Sequence, residues 1–387
     1  MLGLPRRWLR SEGRTRFNCG YVEGGGVDFE YDDTQRAIAD LAASVLGRTG
    51  AGSGTPDLGQ GGYDEATWKA LGEAGLLSLV LPERLGGDGL GFAEAAVVIA
   101  EAGRRVAPVP TFTTLALGVL PIVRHGTPAQ QDSLLGDGPP RVFTAGVREP
   151  GSPFPARPAT TARRDGDRLL VDGVKVGVAY ASAAHRILVP VAVEGVPGIA
   201  LVDPNGPGVA STPSYASGDV PEFTVRLDAA PAEPLGDADA VADLYRCALA
   251  GACAAADGVL AGMLGLTSEH LAKRQQFGRP LATFQAVAQQ IADVYLAAQT
   301  LHLATWAACW RLGAGLDADS DIEVASYWLA EYGPATAQTC HHLHGGLGLD
   351  ITYPMHRYSS YVKDLARFVG GAGHRLDQLG EVACSSN

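Results

Sequence analysis

The sequence predicts an α+β chain in three parts: an N-terminal helical domain, a middle β-barrel-like domain and a C-terminal four-helix bundle. Three observations predict it. Apolar residues recur at helical spacing up to about residue 140. From Arg141 to Pro234 short runs rich in Val, Ile, Leu and Thr alternate with Gly, Pro and Asp turns. After Pro234 helical spacing returns and persists almost to the end of the chain. The boundaries drawn from these shifts are 27–140, 141–234 and 235–387, with residues 1–26 set apart. A chain of 387 residues is long enough for this division into several cores.

Each part has its own start and stop signals. Asp32 or Asp33 caps a first helix whose apolar positions are Ile38, Leu41 and Val45. A loop rich in Gly, Ser and Pro runs from Gly47 to Gly62, and a second helix spans Tyr63 to Ala74. Phe92, Ala95, Ala96, Ile99, Ala102 and Val106 mark a third, and Thr111–His125 and Pro128–Leu135 two more. The strands expected in the middle part are Arg141–Val147, Asp167–Val171, Ile187–Val193, Ile199–Val202 and Phe223–Leu227. The bundle helices expected are Asp237–Lys273, Leu281–Leu312, Asp319–His342 and Pro354–Phe368. Breaks fall at Gly278, Pro280, Gly313, Gly315, Gly345 and Gly346. Short connections make these helices antiparallel neighbours.

Composition narrows the function classes. The net charge of −12, without basic clusters in the body of the chain, argues against nucleic acid as a partner. No window reaches the roughly 18 apolar residues of a membrane span, so no membrane role is expected. The six cysteines are widely scattered and form neither a disulfide framework nor C-x-x-C pairs, which points to small buried thiols in a reducing cytoplasm. Residues 1–26 carry Arg6, Arg7, Arg10, Arg14 and Arg16 without an apolar core, so a signal peptide is excluded and a transit peptide fits poorly. They are expected to be a disordered leader or an artefact of the assigned start, translation beginning instead at Val27.

Three segments carry chemistry. The first, Leu81-Pro82-Glu83-Arg84-Leu85-Gly86-Gly87-Asp88-Gly89-Leu90, is a glycine-rich turn between helices. The second is Lys273-Arg274-Gln275-Gln276-Phe277-Gly278-Arg279-Pro280 followed by Phe284-Gln285. The third is Cys340-His341-His342-Leu343-His344-Gly345-Gly346-Leu347-Gly348 followed by Tyr353-Pro354 and Arg357-Tyr358. Cys340, His341, His342 and His344 suggest a metal site by residue type. Four ligands crowded into five positions converge poorly on one ion, so no metal is expected. Taken alone, Arg274 is a cation at a helix end and Phe277 a core side chain.

With the R-x-Q-F-G-x-P…F-Q and L-H-G-G-x-G…Y-P-x-x-R-Y runs in place, the sequence from about Val27 to Leu379 resembles the acyl-CoA dehydrogenase family. The resemblance implies FAD at a subunit interface, its ring in one subunit's cleft and its ADP half on the bundle of a neighbour. It implies that Arg274 pairs with the pyrophosphate, that Phe277 and Gln285 line the adenosine side, and that the His342–Gly346 turn, through Gly345 and Gly346, lets backbone approach the cofactor. It also implies an electron-transfer flavoprotein or similar acceptor.

Departures from the family pattern matter more. The family abstracts the α-proton of a CoA thioester with a glutamate and passes the β-hydrogen as hydride to the flavin. One position for that glutamate falls here in Phe368-Val369-Gly370-Gly371-Ala372-Gly373, which holds no acid. The other precedes Arg246 and is Tyr245, a poor base at neutral pH. The family's T-E-P-x-x-G-S-D and G-x-K-x-W-I-T runs become Arg148-Glu149-Pro150-Gly151-Ser152-Pro153 and Gly173-Val174-Lys175-Val176-Gly177-Val178-Ala179. Glu149, Pro150 and Lys175 match. Gly177 replaces the aromatic shelf and Ala179 the hydroxyl that face the flavin ring. No catalytic residue is therefore expected in this chain. The pattern is similar to the base-less subunit of α2β2 heterotetrameric acyl-CoA dehydrogenases of steroid side-chain breakdown, as in cholesterol catabolism. There a homologous subunit carries the glutamate and the substrate is a steroid-CoA. Two alternatives stay open: a homotetramer with a base relocated to Asp243, Asp257 or Glu269, and a non-catalytic binding protein on the same fold.

Overall fold

The computed structural model describes residues 30–48, 58, 61–136, 138 and 140–385. The expected leader, residues 1–26, lies outside the described residues. Helix α1 (Asp33–Arg48) starts at a reciprocal cap: the Asp32 carboxylate accepts from the Gln35 amide at 2.8 Å, and the Gln35 side chain accepts from the Asp32 amide. Helix α2 (Glu65–Glu73) is capped by Asp64, which accepts from the Thr67 amide and hydroxyl. Helix α3 (Phe92–Arg104) is buried along most of its length. Helices α4 (Thr111–Thr114) and α5 (Leu120–His125) are joined by a π-helical stretch at Leu115–Val119, so the expected single helix carries an expanded turn. Helix α6 (Pro128–Leu135) closes this part.

The middle part is a barrel. Its strands are β1 (Phe143–Ala145), the small hairpin β2 (Arg148–Glu149) and β3 (Ser152–Pro153), β4 (Thr161–Asp165), β5 (Arg168–Ala179), β6 (Arg186–Val193), β7 (Val196–Val202), β8 (Val209–Ser214) and β9 (Glu222–Pro234). Strand β6 pairs with β4, β4 with β5, β5 with β9, β9 with β7, and β7 back with β6, which closes the ring; β1 and β8 attach outside it. Inside lie Leu169, Val171, Val178, Ile187, Val189 and Val225. Strands β4 and β8 were not anticipated, because their exposed, polar faces lack apolar alternation. Strand β5 outruns the expected Asp167–Val171 by eight residues because a register shift near Gly173 lets pairing with β9 continue.

The bundle consists of α7 (Ala238–Lys273), the hairpin β10 (Gln275–Gln276) and β11 (Arg279–Pro280), α8 (Gln285–Gly313), α9 (Asp319–His344), α10 (Met355–Phe368) and α11 (Ala372–Ser385). The expected four helices are joined by α11, which packs on α9 and was missed. Helix α7 also corrects the expectation that no segment is long and apolar enough to span a bilayer. It meets that criterion by length and composition, but 83% of the qualifying window is buried within the protein. One hydrophobic core runs from the N-terminal helices into the bundle, while the barrel interior has its own.

Close approach of α3 and α7 makes the shared core possible. A methyl group on Gly258 would overlap the Ala100 carbonyl, and one on Gly103 the Ala255 carbonyl. A second knot ties β2 to the barrel. Lys175 is fully buried and donates to Glu149 at 2.7 Å; the same carboxylate accepts from the Thr160 hydroxyl at 2.6 Å and from the Ala159 and Thr160 amides. Burial pushes the Glu149 carboxyl up, but the hydrogen bonds from Lys175 and Thr160 outweigh it and hold it at about 2.

Gly258→Ala should destabilise the chain by about 1–3 kcal/mol, read as a lowered midpoint in thermal denaturation. Glu149→Gln should cost about 3–5 kcal/mol near neutral pH by leaving Lys175 buried without its counter-ion. A carboxyl whose folded pKa is depressed contributes stability above its unfolded value and loses it as pH falls through the folded one. Denaturant titrations should therefore show the gap between wild type and Glu149→Gln closing between about pH 4.5 and 2. An unchanged gap over that range would contradict the assignment.

Candidate functional site

Two regions that share no lining residue hold the residues singled out by sequence. The first is a groove at the C-terminal end of α7. Helix α7 stops because Arg274 is extended, and the chain turns back through a two-residue hairpin turn in which both Phe277 (φ 52°) and Gly278 (φ 76°) are left-handed. A bulky residue in that conformation costs of order 1 kcal/mol or more and marks a segment kept for another purpose. The Phe277 ring is 92% exposed, so it is not a core side chain. Gln285, also exposed, begins α8, and the Arg279 guanidinium lies 4.1 Å over the Phe284 ring.

The groove is walled by Leu266, Glu269, His270, Lys273 and Arg274 on one side and by His344, Gly346, Leu347 and Tyr353 on the other. Arg274 and Gly346 therefore line one groove, while Gly345 lies just outside its lining. Phe277 and Gln285 sit on the hairpin and the start of α8 outside this lining, and His342 points to solvent. Gly345, at φ 58° and ψ −139°, takes a backbone conformation reserved for glycine, and a Cβ at Gly345 or Gly346 would touch nothing within 4 Å. Among the described residues, the Arg274 side chain has no hydrogen-bond or ion-pair partner, whereas Lys273 pairs with Glu269. A free planar cation beside open glycine backbone suits a phosphate or pyrophosphate.

Sequence reasoning missed the floor of this groove. The rings of His270 and His344 stack at 4.5 Å. His344 Nδ1 lies 2.8 Å from the Cys340 carbonyl, which only accepts, so Nδ1 carries the proton and Nε2 accepts from the Tyr353 hydroxyl at 3.0 Å. Burial, with Arg274 as the second cause for His270, lowers both imidazoles below their ordinary value. They are neutral at pH 7 and form a flat, uncharged shelf next to the Arg274 cation. Their spacing, 74 residues apart on different helices, leaves no local signal.

The second region is the cleft between the N-terminal helices, the barrel and α10. The Gly177 backbone is left-handed (φ 61°), and a Cβ there would lie 3.0 Å from Arg148 Nη1 and 3.2 Å from Glu222 Oε2. The Arg148 and Glu222 side chains thus stand where an aromatic residue at 177 would project. Phe154 packs edge-on against both Tyr245 and Phe368, and Phe368 against Phe112. The cavity left is about 60 Å³. A single benzene ring has been accommodated in a cavity of ~150 Å³, so this space alone does not enclose a three-ring flavin.

No base stands ready in the cleft. The Tyr245 hydroxyl donates to the Pro155 carbonyl at 3.0 Å, and burial, followed by the charge of Glu149, pushes its pKa further above the ordinary tyrosine value. The turn after α10 (Gly370, Gly371) carries no carboxylate. Of the relocated candidates, Asp243 pairs with Arg124 and His125, Asp257 accepts from Trp306 and lies 3.0 Å from His302, and Glu269 pairs with Lys273; none lines the cleft. Of the acids that do line it, Asp219 pairs with Arg357 at 3.1 Å, Asp364 with Arg367 and the Ser217 and Gly218 amides, and Glu222 spends Oε1 on Arg367 at 2.7 Å and leaves Oε2 without a partner.

Comparison with known proteins identifies the family. Residues 32–137 match the acyl-CoA dehydrogenase N-terminal domain and residues 246–376 the acyl-CoA dehydrogenase C-terminal domain. The chain is 41% identical to acyl-CoA dehydrogenase FadE28 of Mycobacterium tuberculosis over 92% of its own length and 98% of the relative's. A solved variant of the Tcur3481–Tcur3483 steroid ACAD superposes with a TM-score of 0.84 at 34% identity, covering 91% of this chain and 98% of that one. The ChsE4–ChsE5 complex from Mycobacterium tuberculosis superposes with 0.83 at 29% identity, covering 92% and 99%. The matches cover both helical parts and nearly the whole chain, and they establish that it belongs to the acyl-CoA dehydrogenase family.

Proposed function

We propose that this chain is the base-less member of a heteromeric, FAD-dependent acyl-CoA dehydrogenase, inactive by itself, in an α2β2 assembly. Its groove holds the ADP half of FAD, and a homologous subunit supplies the flavin cleft and the glutamate. FAD supplies the hydride acceptor when bound. The observation that carries this reading is separation along α7. Phe112, in the cleft wall, packs on α7 at Gly251, and Lys273, beside Arg274, lies 22 helical residues further on, roughly 33 Å at 1.5 Å per residue. A cofactor gripped by Arg274 therefore lies far from this chain's own cleft, which alone does not enclose a flavin ring.

The chain's own residues then have defined tasks. Arg274 neutralises a pyrophosphate, and Gly345 and Gly346 admit it close to the backbone. The neutral His270–His344 shelf offers a flat surface, and Phe277 and Gln285 on the hairpin and α8 reach towards the adenosine. The α,β-desaturated substrate is a CoA thioester carrying a steroid side chain, supported by the 34%-identical steroid ACAD, with electrons leaving to an electron-transfer flavoprotein or similar carrier. The five described cysteines are free thiols, in keeping with a cytoplasmic site of action. The relocated-base alternative finds no support in the ion pairs of Asp243, Asp257 and Glu269.

Purified alone, the chain should be colourless; co-expressed with its homologous subunit it should give a yellow complex with one FAD per heterodimer. A yellow, active preparation of the lone chain would overturn the reading. In the complex, Arg274→Gln should lower flavin retention at least tenfold, measured by absorbance after gel filtration. Tyr245→Phe should leave dehydrogenation of the acyl-CoA unchanged while costing about 1 kcal/mol of stability; loss of turnover would make Tyr245 a catalytic residue after all.

A further inference from the structure

The closed cleft is apolar on most sides, with Val109, Phe112, Leu117, Val220 and Leu365 among its walls. Thr144, Glu222 and Arg357 line this cavity, and each has a buried polar atom without a hydrogen-bond partner, Thr144 Oγ1, Glu222 Oε2 and Arg357 Nη1; Arg148 Nη1, behind the wall at Gly177, is likewise unpartnered. The three lining residues are 0%, 8% and 5% exposed. Each is held in place by the rest of its own side chain or backbone. Arg357 spends Nε on Asp219 and Nη2 on the Val106 carbonyl. Glu222 spends Oε1 on Arg367. Thr144 lies in β1, paired with β6. The loop after β8 that carries Asp219 and Val220 closes one side and is pinned by Asp364 through the Ser217 and Gly218 amides.

A buried polar atom without a partner costs of order 1–3 kcal/mol, and three around one cavity make a site with fixed demands. Glu222 Oε2 needs a donor, Arg357 Nη1 needs an acceptor, and Thr144 can serve as either. The charges around the cleft cancel, since Asp219, Glu222 and Asp364 face Arg148, Arg357 and Arg367. A charged ligand would break that balance in a place shielded from water. The volume of about 60 Å³ allows only a handful of non-hydrogen atoms.

We propose that this remnant cleft is a binding site for the primary amide or alcohol end of a small neutral molecule, in which one head group both donates and accepts. The site is independent of the groove at Arg274 and of the reaction carried out with the partner subunit. Only its own three polar atoms and apolar walls define it.

Propionamide and 2-propanol are suitable probes, followed by saturation-transfer NMR on the full-length chain and on its complex. Propionate, propylammonium and xenon serve as the charged and purely apolar controls. Binding of propionamide or 2-propanol at least tenfold tighter than either ion is expected, and Thr144→Val, which keeps shape and removes the hydroxyl, should weaken it several-fold. Ala179→Leu, which adds bulk at the cavity wall, should abolish it. Equal binding of the charged probes would overturn the proposal. So would binding indifferent to Thr144→Val and Ala179→Leu, xenon uptake without uptake of either polar probe, or no binding at millimolar concentration. Flavin content of the complex should be the same with and without the probes, which separates this test from that of the shared FAD site.

Discussion

The structure hangs on the absence of side chains along the middle of α7. Between Ala248 and Gly258 the helix presents almost only Ala, Gly and Cys, so α3 can lie against it nearly backbone to backbone. Helices α8, α9 and α10 pack around the same rod. Because one helix serves both the N-terminal part and the bundle, the two share a core instead of meeting at a soft interface. A shared core is stiff, and stiffness makes the spacing between the two ends of α7 a fixed quantity.

That fixed spacing keeps the cleft and the groove apart, and the two differ in character. The cleft and the groove share no lining residue. At the cleft, Arg148, Glu222, Arg367, Tyr245 and the three phenylalanines have closed on one another. At the groove, Arg274, Phe277, Gly345 and Gly346 stay open, although an exposed aromatic in a left-handed turn and an unpaired guanidinium bring no stability to an isolated chain. Retention of costly features at one site, beside consolidation at the other, is the pattern expected when a ligand or partner acts on only one of them.

Much of this was legible in the sequence, and the divide between what was and was not is physical. Helices with one buried face announce themselves by spacing, as α10 does through Met355, Tyr358, Val362 and Leu365, and the Asp32 cap is local chemistry. The hairpin motif around Phe277 and the glycines at 345 and 346 are also local, because turn conformation is written in the turn residues. What stayed hidden depends on distance along the chain. Glu222 meets Arg367 across 145 residues, and His270 meets His344 across 74. Strand β8, polar on both faces, is held by β9 and not by its own pattern.

The Glu149–Lys175 pair is instructive because its residues match the family pattern while the flavin-facing positions between and beyond them do not. Were that pair part of the redox chemistry, it would have lost its purpose with the aromatic at 177 and the hydroxyl at 179. Instead it is fully assembled, with Thr160 and the Ala159 amide completing the carboxylate's partners. Its work is to pin the β2–β3 hairpin to the barrel, and through Phe154 and Pro155 that hairpin supplies the groups that engage Tyr245. Residues that match the family pattern thus serve here as architecture. Matching residues carry a function over only when the atoms they are meant to serve still have room.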